Sequence, residues 1–409
     1  MNFSRPQTII LAIVGSIILF FALGAIGVIP VFKENLSKTT IKFWGIDNER
    51  AFSQVLADYK KISPSVTVEY SRFSEADYEN KLIDALASGE GPDILMFHSS
   101  WLSKHGKKVS VFPATLITAT QFKELYPQVA EMDFVADNQI YALPLYIDTL
   151  ALFYNRDTFD FQGVAIPPKT WSQFRSIVFS QGVGTDFGAV SSVSRNAADI
   201  LGLLMLQSGV KMTVDDGKAT AFASDSRAVS AVNFYTQFNP PKTNSFDSFS
   251  SGKIGMILDY QSANAEIKAK NPYLNLGIAS APQFYPDAPV NFASYYGLAV
   301  TKKNALAAAK RDESWKLAYF IAAESGSAEK YLKDSSRPPA LRSLAQRYSS
   351  NADLGVFAKQ ALSSRSWPEP DKTAVSGIFD NMILLIKSGK LRVEEALRQA
   401  QSQINQLVK

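Results

Sequence analysis

Gln139-Ile140-Tyr141-Ala142-Leu143-Pro144-Leu145-Tyr146-Ile147-Asp148-Thr149-Leu150-Ala151-Leu152-Phe153-Tyr154-Asn155-Arg156 is the stretch on which the fold turns. Two short apolar runs are broken around Pro144, with one carboxylate, Asp148, set in the break. A carboxylate in so apolar a run is costly to bury unless something hydrogen-bonds it. The segment reads as a strand that leaves one lobe, passes a hinge near Asp148 and enters a second lobe. A single core strand with a bulge is the alternative on local pattern alone.

Working outward, 409 residues are too many for one ordinary core, so two packed units are expected. An apolar content of 46% and a charged content of 20% place the chain among globular proteins. The net charge of +4 is scattered, with no Lys/Arg block, which argues against nucleic acid as a partner. There is no cysteine, and hence no thiol nucleophile, zinc–thiolate site or lipidated cysteine.

From Pro6 to Phe32 no residue is charged. An apolar span of this length suits a bilayer-crossing helix better than the shorter core of a secretory signal. Residues 8–30 are therefore expected to anchor the chain in the lipid bilayer, and 31–39 to form a linker. Cleavage near Gly24 or Ala25 is the alternative. Arg5 before the span favours the bulk of the chain outside the cytoplasm.

Beyond the linker, Thr40–Trp44, Val66–Tyr70 and Ile94–Phe97 read as strands alternating with helices, the order of an α/β unit. Ser74 with Asp77, and Thr170 with Gln173, look like capping boxes. Asp47 or Asn48 can cap the helix that follows them. Gly252–Tyr260 and Asn291–Val300 are further strand segments, and from Asn304 onward the chain is almost all helix. Gly182, Gly184 and Gly188 do not make a phosphate-binding spacing.

Catalytic motifs are missing: there is no GxSxG elbow, Walker loop or HExxH pair. His98 and His105 are expected in loop or surface roles rather than as metal ligands. Instead, aromatic and hydrogen-bonding residues recur where strands should end: Trp44, Asp47, Asn48, Phe97, Trp101, Tyr146, Asp148, Tyr260, Tyr295, Tyr296, Arg337 and Trp367. Flat rings cover the C–H face of a sugar, while Asp, Asn and Arg satisfy its hydroxyls. Ligands in α/β sheets lie at the carboxyl ends of strands, so the set points to a binding cleft.

The chain resembles the sugar-binding type of extracellular solute-binding proteins of ABC importers, related to maltose-binding protein. The resemblance is carried by Ile41-Lys42-Phe43-Trp44, Gly89-Glu90-Gly91-Pro92-Asp93-Ile94, Tyr141-Ala142-Leu143-Pro144 through Arg156, Pro167-Pro168-Lys169-Thr170-Trp171, Gly252-Lys253-Ile254-Gly255-Met256, Tyr296-Gly297-Leu298-Ala299-Val300 and Arg337-Pro338. It implies a two-lobed α/β periplasmic-binding-protein-like fold of type II with a hinge, here preceded by one transmembrane helix. It implies a monomer without cofactor, metal or catalytic residue, which closes on a small solute and hands it to ABC permease subunits. By position, Asp148 matches a hinge acid that binds sugar hydroxyls, Trp367 and Phe97 match stacking positions, and Asp47 or Asn48 matches polar contacts. Ser262 and Ser100 depart from the pattern, standing where a stacking tryptophan and an acid are expected. The expected lobes are 40–148 with 297–322, and 149–292 with 326–409, with further crossings at 293–297 and 320–326. Ferric iron on Tyr295 and Tyr296, a polyamine, a sensor role and a glycosidase are the competing readings.

Overall fold

A computed structural model describes residues 38–180, 197–214, 219–238, 245–302 and 308–407. The apolar span 8–30, most of the linker and the glycine turn at 182–188 lie outside them. Among the described residues no helix is long and apolar enough to cross a membrane.

The first lobe grows from strand β1 (Thr39–Gly45), which buries Ile41 and Phe43 and leaves Thr40 and Lys42 outward. Period-two alternation produces that split. Helix Arg50–Ile62 follows and buries Phe52, Val55 and Tyr59 along one face. Then come β2 (Val66–Arg72), helix Glu75–Ala87 and β3 (Ile94–His98). Ser74 caps the second helix through the Asp77 amide at 3.2 Å, and Gly89 ends it at φ +81°. Both β2 and β3 run parallel to β1. Asp93 enters β3 almost fully buried, accepting from the Lys42 amide at 2.8 Å and pairing with Lys310 at 2.7 Å.

The sheet is completed by two strands that run against β3 or its neighbour. The short β4 (Leu143–Pro144) enters the hinge, and β9 (Tyr296–Val300) returns from the second lobe. The order is β2-β1-β3-β9-β4, with β9 antiparallel to both its neighbours. In the second lobe, β5 (Ala151–Asn155) lies between β6 (Met256–Asp259) and β7 (Leu276–Ser280), all antiparallel. A pair of short strands, β8 (Asn291–Phe292) and β10 (Ser364–Arg365), lies beside it. Helices Ala197–Gln207 and Ser226–Thr236 form its core with Trp171, whose indole nitrogen donates to Gln207 at 2.6 Å. The capping box at Thr170 and Gln173 forms, with bonds of 3.1 and 3.2 Å.

The opening stretch is thus three short strands in three sheets, Gln139–Ile140, β4 and β5, not one bulged strand, and residues 145–150 cross between the sheets of the two lobes. They run beside residues 292–296, tied by Leu145 to Tyr296, Ser294 to Asp148 and Leu150 to Phe292 at 3.1 Å each. The C-terminal half is divided differently from the expectation. Helix Ser325–Ser335 lies on helix Arg50–Ile62, with Tyr331 stacked 5.1 Å from Phe52, and Ala328, Tyr331 and Leu344 belong to the first core. Residues 326–345 therefore go with the first lobe, and the third crossing falls after Leu344 and before β10 rather than at 320–326. An apolar stripe shows that a helix packs, not which of two cores receives it. Helix Gly355–Ala361 packs on the second-lobe sheet, with Phe357 against Phe153, and helices Lys372–Lys387 and Val393–Leu407 join the second core through Phe379, Leu397 and Ile404.

The crowding where β9 meets β4 is measurable. A Cβ on Gly297 would stand 2.7 Å from the Leu143 carbonyl oxygen and 2.7 Å from the Phe134 ring. Gly297→Ala is expected to lower stability by about 2 kcal/mol, the scale of overpacking a core. Gly326→Ala, where nothing lies within 4 Å, is expected to be neutral or stabilising by up to about 1 kcal/mol. Urea unfolding of the two variants checks this, and equal midpoints would contradict it.

Candidate functional site

Between the lobes lies a cleft of about 470 Å³. That volume suits a small organic solute. The first lobe supplies residues just past the carboxyl ends of β1 and β2: Ile46 to Asn48, and Arg72 to Glu75. The crossings supply Tyr146, Asp148, Ser294 and Tyr296. The second lobe closes the far side with Asp199, the Asp259–Tyr260 tip of β6, Ser262, Glu266 and Lys372.

Asp148 sits at the centre with 2% of its surface exposed. Its Oδ1 accepts from the Thr149 amide at 2.9 Å and from the Gln261 amide of the second lobe at 3.0 Å. Among the described residues nothing bonds Oδ2, which is left to the cleft that Asp148 lines. Burial pushes its pKa up to about 7, opposed by the Gln261 amide, Arg337 and the Thr149 amide, and reinforced by Asp259. The awkward acid of the sequence is therefore held by backbone from both sides of the hinge.

On the first-lobe wall, Asp47 takes Arg337 at Oδ1, from Nη2 at 2.6 Å and Nε at 3.1 Å, and the Tyr331 hydroxyl at Oδ2. Ser336, in the left-handed region at φ +56°, ends helix Ser325–Ser335 and turns the chain so that Arg337 reaches Asp47. The guanidinium carbon lies 4.5 Å from the Tyr146 ring centroid, a cation–π contact. Asn48 and not Asp47 caps the helix beyond, accepting from the Arg50 amide at 3.0 Å.

On the second-lobe wall, Asp199 accepts from the Tyr260 hydroxyl at 2.6 Å and from Lys372 at 3.2 Å. Lys372 also donates to Ser294 at 2.7 Å. Burial opposes its charge, but Asp199 and Glu369 outweigh this and hold the amine above the usual lysine range. His98 lies 3.1 Å from the same Ser294 hydroxyl, and burial holds its pKa well below the usual imidazole value. His105 is buried as well, 2.8 Å from Glu79, so neither histidine has the surface role expected of it.

Of the twelve residues singled out in the sequence, Asp47, Asn48, Tyr146, Asp148, Tyr260, Tyr296 and Arg337 line this cleft. The other five do not. Phe97 is fully buried on a strand with neighbours on both sides and packs against Trp101 and Phe134. Trp101 packs under Tyr78 and Tyr296, and Trp44 backs Phe73 at 4.5 Å. Trp367 lies in the second core near Phe379, so the stacking roles implied for it and for Phe97 have no cleft to face. Tyr295 and Tyr296 point to opposite faces of an extended segment, as neighbours must. Tyr295 donates to the buried Asp133 at 2.6 Å while Tyr296 lines the cleft, so the pair is not assembled for ferric iron. Among the described residues no group of three or more His, Asp or Glu is placed to hold a metal ion.

Glu75, Asp199, Asp259, Glu266, Ser294 and Lys372 were not singled out in the sequence. Glu75 follows the carboxyl end of β2, so the strand-end rule covers it. Lys372 opens a helix more than two hundred residues from Asp148, and only the third crossing brings it to the cleft.

Two lobes, three crossings and a polar cleft on the hinge define a solute receptor of the periplasmic-binding-protein-like fold. The sequence profile of the bacterial extracellular solute-binding proteins matches residues 45–327, and the chain belongs to that family. A binding protein of Brucella abortus is 22% identical over 375 residues, covering 88% of this chain and 90% of that one. Among solved structures, the sugar-binding protein MalE of Xanthomonas citri superposes with a TM-score of 0.76 at 20% identity, covering 90% of this chain and 97% of the other. A cyclo/maltodextrin-binding protein complexed with maltotetraose gives 0.75 at 17% identity, covering 90% and 96%. At these identities the structural likeness establishes the fold.

The Asp47–Arg337 pair supports a stability test. Asp47 is 7% exposed and Arg337 16%, so removing the cation strands a buried carboxylate. Arg337→Met is expected to cost about 3 kcal/mol in chemical denaturation, and Asp47→Asn in the same chain to recover part of it. A loss under about 0.5 kcal/mol would mean that solvent already screens the pair.

Proposed function

We propose that this protein is a carbohydrate receptor, tethered to the membrane by residues 8–30 with its lobes outside the cytoplasm, that delivers its ligand to the permease of an ABC importer. The observation that carries the reading is the hinge carboxylate. Asp148 is buried, its Oδ1 is held by two backbone amides, and its Oδ2 opens into a cleft flanked by Tyr146, Tyr260, Tyr296 and Phe73. A carboxylate acceptor beside several rings meets both faces of a sugar, the hydroxyl rim and the C–H plane. The sugar-binding proteins of the same fold support the ligand class.

The mechanism is closure. Ligand contacts on Asp47, Asn48 and Glu75 belong to one lobe and those on Tyr260, Glu266 and Lys372 to the other. Both sets are satisfied together only when the lobes approach, so ligand raises the population of the closed form by its differential affinity. The three crossings act as the hinge, absorbing the rotation in short extended segments.

Calorimetry of the full-length protein in detergent against a panel of mono- and oligosaccharides tests the reading, and absence of binding to every sugar would overturn it. For the sugar that binds, Asp148→Asn is expected to weaken affinity by at least about 1.5 kcal/mol, the scale of a charge-assisted hydrogen bond, with the thermal transition retained. The pH dependence has a definite sign. Sugar hydroxyls donate to the ionised carboxylate, and a proton on Asp148 competes with them. Affinity should therefore fall as the pH drops through about 7 in the wild type, and much less in Asp148→Asn.

A further inference from the structure

Ser294 lies on the second crossing and lines the cleft beside Asp148, to whose carbonyl its amide donates at 3.1 Å. Its hydroxyl is met from two sides. His98, the last residue of β3, stands 3.1 Å away through Nε2, and the Lys372 ammonium stands 2.7 Å away. The partners decide the direction of both bonds. An ammonium has hydrogens and no lone pair, so Lys372 donates. A neutral imidazole has one N–H and one lone pair, so the tautomer of His98 follows from what bonds its other nitrogen. The Ser100 amide, which can only donate, reaches His98 Nδ1 at 3.2 Å. Burial, reinforced by Lys372, keeps the ring neutral. The imidazole proton therefore sits on Nε2 and is given to Ser294.

Both lone pairs of the Ser294 oxygen are thus occupied, and a hydroxyl in that state has only its hydrogen left to offer. Among the described residues no acceptor takes that hydrogen, and Ser294 is half-buried where it lines the cleft. Asp148 is the complement. Its Oδ1 is filled by two amides, and its Oδ2 has lone pairs and no partner among the described residues. The first two crossings therefore present one donor and one acceptor of fixed sense. Local chemistry does not explain the lysine that enforces this. Lys372 is the first residue of helix Lys372–Lys387, where the helix dipole opposes a cation. Asp199 holds it there from the second lobe at 3.2 Å.

We infer that Ser294 sets ligand specificity at the hinge: His98 and Lys372 hold its hydroxyl as a donor only, so the ligand places an acceptor oxygen on Ser294 and a hydroxyl hydrogen on Asp148 Oδ2. The inference rests on the carbohydrate reading and deepens it. A pair of sugar hydroxyls meets both demands, since each hydroxyl accepts as well as donates. An ammonium group meets only the second, and a polyamine would leave the Ser294 hydrogen unpaired in the closed cleft, at the cost of a desolvated donor.

The test uses the full-length protein in detergent. The chain has two histidines, so nitrogen NMR of protein labelled at histidine shows two rings, and His105→Gln tells them apart. His98 is expected as a neutral ring protonated at Nε2, and a proton on Nδ1 would overturn the inference. Calorimetry then compares glucose, galactose, mannose and maltose with their monodeoxy and monodeoxyfluoro derivatives. Fluorine keeps a weak acceptor and removes the donor. At the hydroxyl that meets Ser294, the deoxy form is expected to bind at least about fivefold more weakly than the parent sugar, and the fluoro form to recover most of that loss. At the hydroxyl that meets Asp148, both derivatives are expected to lose at least about tenfold. In Ser294→Ala the deoxy and fluoro forms at the first position should become equal, a change that a merely structural serine would not produce. Equal losses for the two derivatives at every position in the wild type would overturn the inference and leave the carbohydrate reading standing. Binding of none of the parent sugars would overturn the carbohydrate reading, and the inference with it.

Discussion

The constraint on which the structure depends is the burial of one carboxylate at the point where the chain changes lobes. An acid with 2% exposure must be hydrogen-bonded or neutralised. Asp148 is bonded at Oδ1 by its own neighbour and by Gln261 of the second lobe, and its carbonyl accepts from Ser294 on the returning crossing. Thr149 next to it takes part in a third link, accepting from Gln360 at 2.8 Å, and Gln360 donates on to the Leu150 carbonyl at 3.0 Å. All three crossings therefore meet around one residue pair. The group that binds the hinge together also presents its remaining oxygen to the cleft, so the ligand and the axis of closure share an atom set.

The walls of the cleft repeat this logic at smaller scale. Asp47 holds Arg337 and Tyr331, and Asp199 holds Tyr260 and Lys372. Each pairing fixes one carboxylate of a wall and aims a cation or a ring at the space between. Behind the walls a second buried acid, Asp133, accepts from Tyr295 at 2.6 Å and from Ser366 just past β10. Burial pushes Asp133 up to about 7 and Glu369 beside it up to about 8. Around the hinge, Asp148 and Asp133 are thus carboxyl groups kept from water and stabilised by amide or hydroxyl donors, whereas Glu369 has the Lys372 ammonium as its countercharge.

Much of this was legible in the sequence, for reasons that differ by element. The first lobe follows from local rules: alternation in β1 and β2, the Ser74 cap, the Gly89 stop and the apolar β3. Asp148 was legible because an acid in an apolar run contradicts its surroundings. The Trp44, Phe97, Trp101 and Trp367 assignments did not hold because an aromatic at a strand end serves a core as readily as a cleft, and burial on both sides of a central strand is not a local property. The misplacement of residues 326–345 has the same origin, since the stripe with Tyr331 fits Phe52 of a helix nearly three hundred residues away. The second-lobe wall was hidden because its members, Asp199, Asp259, Glu266 and Lys372, come from separated segments that only the fold brings together.

Central to this account is a ligand held by both lobes at once, and hydrogen exchange of the full-length protein with and without saturating carbohydrate measures that most directly. The account predicts slowed exchange in segments of both walls, 46–48 and 72–75 from the first lobe and 259–266 from the second, together with the Thr149 and Gln261 amides at the hinge. Protection confined to one lobe, with the other unchanged, would contradict it.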